Sequence, residues 1–88
     1  MFYVYVLFSS KLRKLYKGST SNIERRLSEH NRGKCRFIES GIPWIVIHTE
    51  EYVTLSEARK RELFLKSGAG RKFLNILLKD KLQQNHHF

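Results

Sequence analysis

The chain has 88 residues, enough for one small domain and too few to divide into two. Hydrophobic residues at 41% and aromatics at 12% exclude a disordered chain and allow a modest core, while 17 Lys and Arg against 8 Asp and Glu leave a charge of +9. That surplus favours a polyanionic partner, nucleic acid first; a membrane surface is disfavoured because no segment joins a basic face to a broad apolar one.

The single cysteine, Cys35, has no partner for an internal disulfide or a cysteine zinc site, which fits a reducing compartment. The N-terminal MFYVYVLF has no basic leader or cleavage site and is far shorter than the ~20 residues of a membrane span. A cytoplasmic location is expected.

Phe2 to Phe8 is apolar on both alternating faces and rich in β-branched and aromatic residues, the pattern of a central strand covered on both sides. SSKLRK supplies a polar turn, and LYKG a short second strand that pairs antiparallel with the first. Ser21 followed by Glu24 has the spacing of a capping box, which starts a helix at Asn22, and Gly33 stops it. On that helix Ile23 and Leu27 form a narrow apolar stripe, with His30 beside them in angle and Arg26 on the flank.

Residues 34–43 hold no clean period, and Gly41 and Pro43 mark a loop. Trp44 to Tyr52 reads as a third strand. Strict alternation puts Trp44, Val46, His48, Glu50 and Tyr52 on one face, with Ile45, Ile47, Thr49 and Glu51 on the other. Thr54 and Glu57 repeat the capping-box spacing and open a helix that Gly68 closes. With Ala58 as origin and about 100° per residue, Leu65, Ala58, Glu62 and Leu55 share a narrow arc, so a carboxylate interrupts the apolar stripe. A last helix from about Arg71 to Leu82 buries Leu74, Leu77 and Leu78, and Trp44 and Phe73 read as core. Residues 1–82 form the single domain, and 83–88 a frayed tail.

An inward carboxylate is costly unless it finds a cation, holds a metal or stands at the lip of a cleft. Arg26 is one candidate for a purely structural ion pair with Glu62. Tyr5 and Tyr16 can project from one face of the hairpin, and the helix after Gly18 brings Arg26 and His30 towards them. A convergent set of this kind suits metal-assisted phosphodiester hydrolysis. A carboxylate holds a divalent cation, arginine binds the scissile phosphate, and tyrosine or histidine takes a proton from water.

The order of these residues resembles the GIY-YIG nuclease domain, particularly its small stand-alone bacterial members related to the nuclease module of the UvrC repair endonuclease. The resemblance covers about residues 2–74. YVY (Tyr3 to Tyr5) stands where the family has GIY, and YKG (Tyr16 to Gly18) where it has YIG. IERRLSEHN is similar to the family's helix, with Arg26 at its arginine and His30 one turn later. EARKRELFLKSGAGRKFL is similar to the region of its metal-binding glutamate, which falls on Glu62. Two residues depart from the pattern: Tyr3 replaces the glycine of GIY, and Lys17 the aliphatic residue of YIG.

The resemblance implies an α+β fold, a three-stranded antiparallel sheet flanked by helices in the order ββα-loop-βαα. It also implies hydrolysis of DNA, duplex or branched, in repair or processing, by one divalent metal, Mg2+ or Mn2+, held by Glu62. By the same resemblance Arg26 would bind the scissile phosphate, either Tyr5 or Tyr16 would be the general base, His30 would assist proton transfer and Gly18 would be the motif glycine. RNA is not excluded as a substrate. Since a tyrosine normally titrates near ~10, the site must stabilise a phenolate.

Arg25, Lys34, Arg36, Lys66, Arg71 and Lys72 are candidate contacts to backbone phosphates, as are Arg59 and Lys60, with a solvated surface the competing reading for each. Asn75 reads as helix surface, His48 as strand packing, and His86 and His87 as adventitious metal ligands at most. The competing functions are a non-catalytic nucleic-acid-binding module and a basic protein-interaction domain.

Overall fold

In a computed structural model, which describes residues 1–32 and 40–79, the apolar run at the N-terminus is the central strand β1 (Phe2–Ser9). It is flanked on one side by β2 (Lys14–Thr20) and on the other by β3 (Trp44–Tyr52), both antiparallel to it. Among the described residues three helices complete the α+β fold: α1 (Ile23–Asn31), α2 (Leu55–Lys66) and α3 (Gly68–Leu77). The described elements run ββα and then βαα, and most of the expected loop over 34–43 lies outside the described residues. Among the described residues no helix is long and apolar enough to cross a membrane.

Both faces of β1 are covered, which explains its unbroken hydrophobicity. Val4, Val6 and Phe8 pack with Ala58 and Leu65 of α2, with Leu74 of α3 and with Leu78, which caps its end. Tyr5 and Leu7 face the opposite way and pack with Trp44, Tyr16, Ile23 and Leu27. Each fully buried leucine of the first cluster contributes roughly 1.5–3 kcal/mol by leaving water.

The third strand spans the expected residues, but its faces do not alternate throughout. The register with β1 shifts between Val6 and Leu7: Val6 opposes His48, whereas Leu7 opposes Val46. The extra residue, Ile47, bulges into the cluster with Val6 and Phe8. Trp44 and Val46 therefore lie on the α1 side, while His48, Glu50 and Tyr52 lie on the α2 side.

Helix boundaries also moved. The cap of α1 is Asn22 rather than Ser21: its side chain accepts from the Arg25 amide at 3.0 Å, and the Asn22 amide donates to the Thr20 hydroxyl at 3.1 Å. Asparagine caps as well as serine does, and the threonine turn places it first. The expected stop at Gly33 lies outside the described residues.

Thr54 caps α2 as expected, accepting from the Glu57 amide at 3.2 Å and donating to the Glu57 carboxylate at 2.9 Å. Gly68, however, opens α3 instead of closing α2. Ser67 serves both helices, its amide donating to Phe64 O at 3.0 Å and its hydroxyl accepting from the Gly70 amide at 3.2 Å. The last helix thus starts at Gly68, three residues before the expected Arg71, and its expected end at Leu82 lies outside the described residues. Gly70 is required by the close crossing, because a Cβ there would overlap Phe64 O and the Leu65 backbone. Leu74 and Leu78 are buried as expected, but Leu77 and Phe73 are exposed.

Candidate active site

Gly18 opposes Tyr5 in the hairpin register, and its lack of a side chain lets the Tyr5 ring lie across β2. A Cβ at residue 18 would overlap the Tyr5 hydroxyl and fall 2.6 Å from Cζ. Since β2 is an edge strand, the gap at Gly18 opens the sheet margin. An open cleft of about 400 Å³ occupies it, lined by Tyr5, Tyr16, Gly18, Ser19, Arg26, Arg59, Glu62 and Leu63. Groups from the α1 side and the α2 side of the sheet meet there.

On the α1 side, the Tyr5 hydroxyl accepts from Arg26 Nε at 3.4 Å and lies 3.3 Å from His30 Nε2. The Tyr5 and Tyr16 rings stack at 6.4 Å, and Tyr16 meets the His30 ring edge-on at 4.6 Å. His30 is 5% exposed and lies behind the tyrosines rather than in the cleft wall. Burial, with the Arg26 charge adding, holds its imidazole below the usual value, so it is neutral at pH 7. Burial raises the Tyr5 phenol, which the hydrogen bond from Arg26 opposes only in part.

Arg26 is fixed by Tyr5 and by a 3.2 Å ion pair with Glu29, yet 41% of its side chain remains open to an anion. Its pKa is raised, through the Tyr5 hydrogen bond first, and it stays charged. The structural pair between Arg26 and Glu62 does not form.

Glu62 instead accepts from the Ser19 hydroxyl at 2.6 Å and from Lys66 Nζ at 2.6 Å. Burial raises its carboxyl, but the hydrogen bonds from Lys66 and Ser19 outweigh that and leave it below the ordinary value. It is ionised at neutral pH. A divalent cation of the magnesium type keeps several waters and needs only one or two carboxylates besides substrate phosphates. Glu62 fits such an ion, because its side chain is ionised, at the cleft margin, and already draws a cation, Lys66, onto Oε2. Among the described residues no group of three or more His, Cys, Asp and Glu could cage a metal alone.

The remaining basic candidates separate. Arg59 joins the cleft wall, and Lys66 is held by Glu62. Arg71 lines a separate groove beside β2, while Arg25 and Lys72 are exposed. Lys34 and Arg36, like Cys35, His86 and His87, lie outside the described residues.

Sequence reasoning missed three groups. Ser19 is 43 residues from Glu62, and only the fold joins them. Asn31 ties the end of α1 to β3, donating to Trp44 O at 3.2 Å and accepting from the Trp44 amide at 2.8 Å. On the far side of β3, Glu50 accepts from Arg61 at 2.9 and 3.3 Å and from the Tyr52 hydroxyl at 2.6 Å, with His48 Nε2 at 2.8 Å. The Arg61 guanidinium also covers the Phe64 and Phe73 rings, each at 4.9 Å. His48 thus meets a carboxylate at hydrogen-bond distance, beyond simple strand packing.

Comparison with known proteins agrees with this geometry. The GIY-YIG catalytic domain matches residues 1–75. A UPF0213 protein of Natronomonas pharaonis is 41% identical over 66 residues, covering 74% of this chain and 76% of its own length. A UPF0213 protein of Syntrophus aciditrophicus is 44% identical over 66 residues, 73% and 75% of the two chains. One of Staphylococcus haemolyticus is 32% identical over 76 residues, 85% and 92% of the two. No solved structure matches the chain. The cleft across Gly18 and the match over residues 1–75 agree: this chain belongs to the GIY-YIG family of nucleases, which act on nucleic acid and generally use divalent metals.

Proposed function

We propose that the chain is a metal-dependent endonuclease that hydrolyses phosphodiester bonds in DNA, in the repair or processing of duplex or branched substrates in the cytoplasm. The observation that carries this reading is the open cleft lined together by Tyr5, Tyr16, Arg26 and Glu62. Arg26, charged and partly open, binds the scissile phosphate and the charge that develops on it. Glu62 would hold Mg2+ or Mn2+, exchanging its contact with Lys66 for the ion. The ion, when bound, supplies Lewis-acid neutralisation of the phosphate and lowers the pKa of a coordinated water.

The raised pKa of Tyr5 disfavours a free phenolate as the resting base. Its neighbours support a relay instead. As Tyr5 takes a proton from water, it passes its own to His30 Nε2, 3.3 Å away, while Arg26 Nε stabilises the oxygen between them. His30 is neutral at pH 7 and can accept. This assigns the base role to Tyr5, with Tyr16 stacked beside it as an orienting group.

The test is cleavage of a panel of duplex, nicked, flapped and branched DNA and of RNA, with Mg2+ or Mn2+, by wild type and Arg26→Ala. Metal-dependent nicking of at least one DNA by wild type, lost in the variant with less effect on binding, supports the proposal. Salt-sensitive binding to every substrate with no cleavage would establish the non-catalytic module instead.

A further inference from the structure

Lys17, the residue of the second motif that departs from the family pattern, opposes Val6 in the hairpin. Its side chain therefore lies on the α2/α3 side of edge strand β2, opposite the side of Tyr16. A groove of about 290 Å³ runs there between β2 and α3, lined by Lys14, Leu15, Lys17, Arg71 and Asn75. Among the described residues no carboxylate lines it. Burial, then the charges of Arg71 and Lys66, hold the Lys17 ammonium below its usual pKa. Cations gathered this way repel one another, and an anion in the groove would offset that repulsion.

The groove adjoins the cleft. Gly18 and Ser19, the next two residues of β2, line the cleft, so the two cavities lie side by side along one sheet edge. Lys17 and Ser19 are separated by ~7 Å along the strand, close enough for one extended polyanion to reach both. Lys66 is engaged by Glu62, and among the described residues the cations that line the groove are Lys14, Lys17 and Arg71.

We propose that this groove is a second phosphate subsite, which holds a backbone phosphate of the nucleic-acid strand next to the one in the cleft. The strand's path rests on the nuclease reading of the cleft, whereas binding in the groove can be measured without cleavage. The experiment is fluorescence anisotropy of a labelled DNA duplex with the full chain in EDTA, titrated with salt. The variants are Lys17→Ala/Arg71→Ala and a control of equal charge loss at two exposed positions outside the candidate phosphate contacts, Lys11→Ala/Arg32→Ala.

The groove variant should weaken binding at least ~10-fold and lower the slope of log affinity against log salt by ~1–2, while the control weakens it less than ~3-fold. Equal losses in the two variants, or no loss in the groove variant, would overturn the subsite. Its thermal midpoint should be no lower than that of wild type, since repulsion is removed. Should the double variant misfold, Lys17→Gln and Arg71→Gln singly should each reduce the slope by ~0.9, and unchanged slopes overturn the proposal. Absent cleavage with binding that depends on Lys17 and Arg71 sinks the nuclease reading alone. Cleavage with binding indifferent to both residues sinks the subsite alone.

Discussion

Replacing Gly18 by Ala should destabilise the protein and disorder the cleft, through a single methyl. Built on the backbone, that methyl overlaps the Tyr5 hydroxyl and falls 2.6 Å from Cζ, about 1 Å inside an ordinary carbon contact. Tyr5 is 2% exposed, so the ring has little room to retreat. Overpacking of this kind costs ~1–3 kcal/mol, against which the lower chain entropy of alanine returns ~0.5–1 kcal/mol. The net loss, centred near ~1 kcal/mol and at most ~2.5 kcal/mol, lowers the thermal midpoint by ~4–8 °C per kcal/mol in a domain of this size. Any retreat of the ring also lengthens the contacts of Tyr5 with Arg26 and His30. The assay is a double-mutant cycle with Tyr5→Leu, which removes the clashing atoms: in that background Gly18→Ala should become neutral or stabilising. An alanine tolerated in the wild-type chain, or equally harmful in both backgrounds, would refute the steric account.

Burial alone would raise the Glu50 carboxyl, but Arg61, His48 and Tyr52 bring it down to about 2 from the ordinary 4.5. Its contribution, at most ~3 kcal/mol, is therefore complete above pH 4.5 and lost as pH falls towards 2. Acid unfolding curves should show a shallower decline over that range for Glu50→Gln than for wild type. Asn31→Ala removes both bonds to the Trp44 backbone and should cost ~1–3 kcal/mol in urea unfolding, with an unchanged denaturant slope. His30→Gln should lower kcat by ~100-fold or more and abolish the acidic limb of the pH–rate profile, which in wild type lies below the ordinary histidine value of 6.5. A limb that persists in the variant assigns the titration to another group.

Much of this architecture is written in local pattern. An eight-residue strand apolar on both faces must lie between two layers, and β1 does. The angle of Glu62 between Ala58 and Leu55 foretold a carboxylate directed at the sheet, and Thr54 with Glu57 located the start of its helix. Where two local signals compete, sequence chooses poorly. Ser21 and Asn22 are both good caps, and the Thr20 hydroxyl decides between them. Gly68 has the look of a helix stop, yet Ser67 turns the chain directly into a new helix. The bulge at Ile47 exists only because β3 must match β1 while presenting Trp44 to one layer and Tyr52 to the other. Partners distant in sequence, Ser19 for Glu62 and Arg61 for Glu50, leave no periodic trace, because the fold rather than the chain brings them together.

The central claim is that Glu62 and its cleft perform hydrolysis. It is tested most directly by single-turnover cleavage of a DNA substrate with the enzyme in excess, comparing wild type with Glu62→Gln in Mg2+ or Mn2+. Glutamine keeps the volume and an acceptor for Ser19 but removes the charge that would hold the ion. The account predicts metal-dependent nicking by wild type, a loss of ~100-fold or more in the variant, and DNA binding in EDTA that is not weakened. Cleavage by Glu62→Gln at the wild-type rate would contradict it.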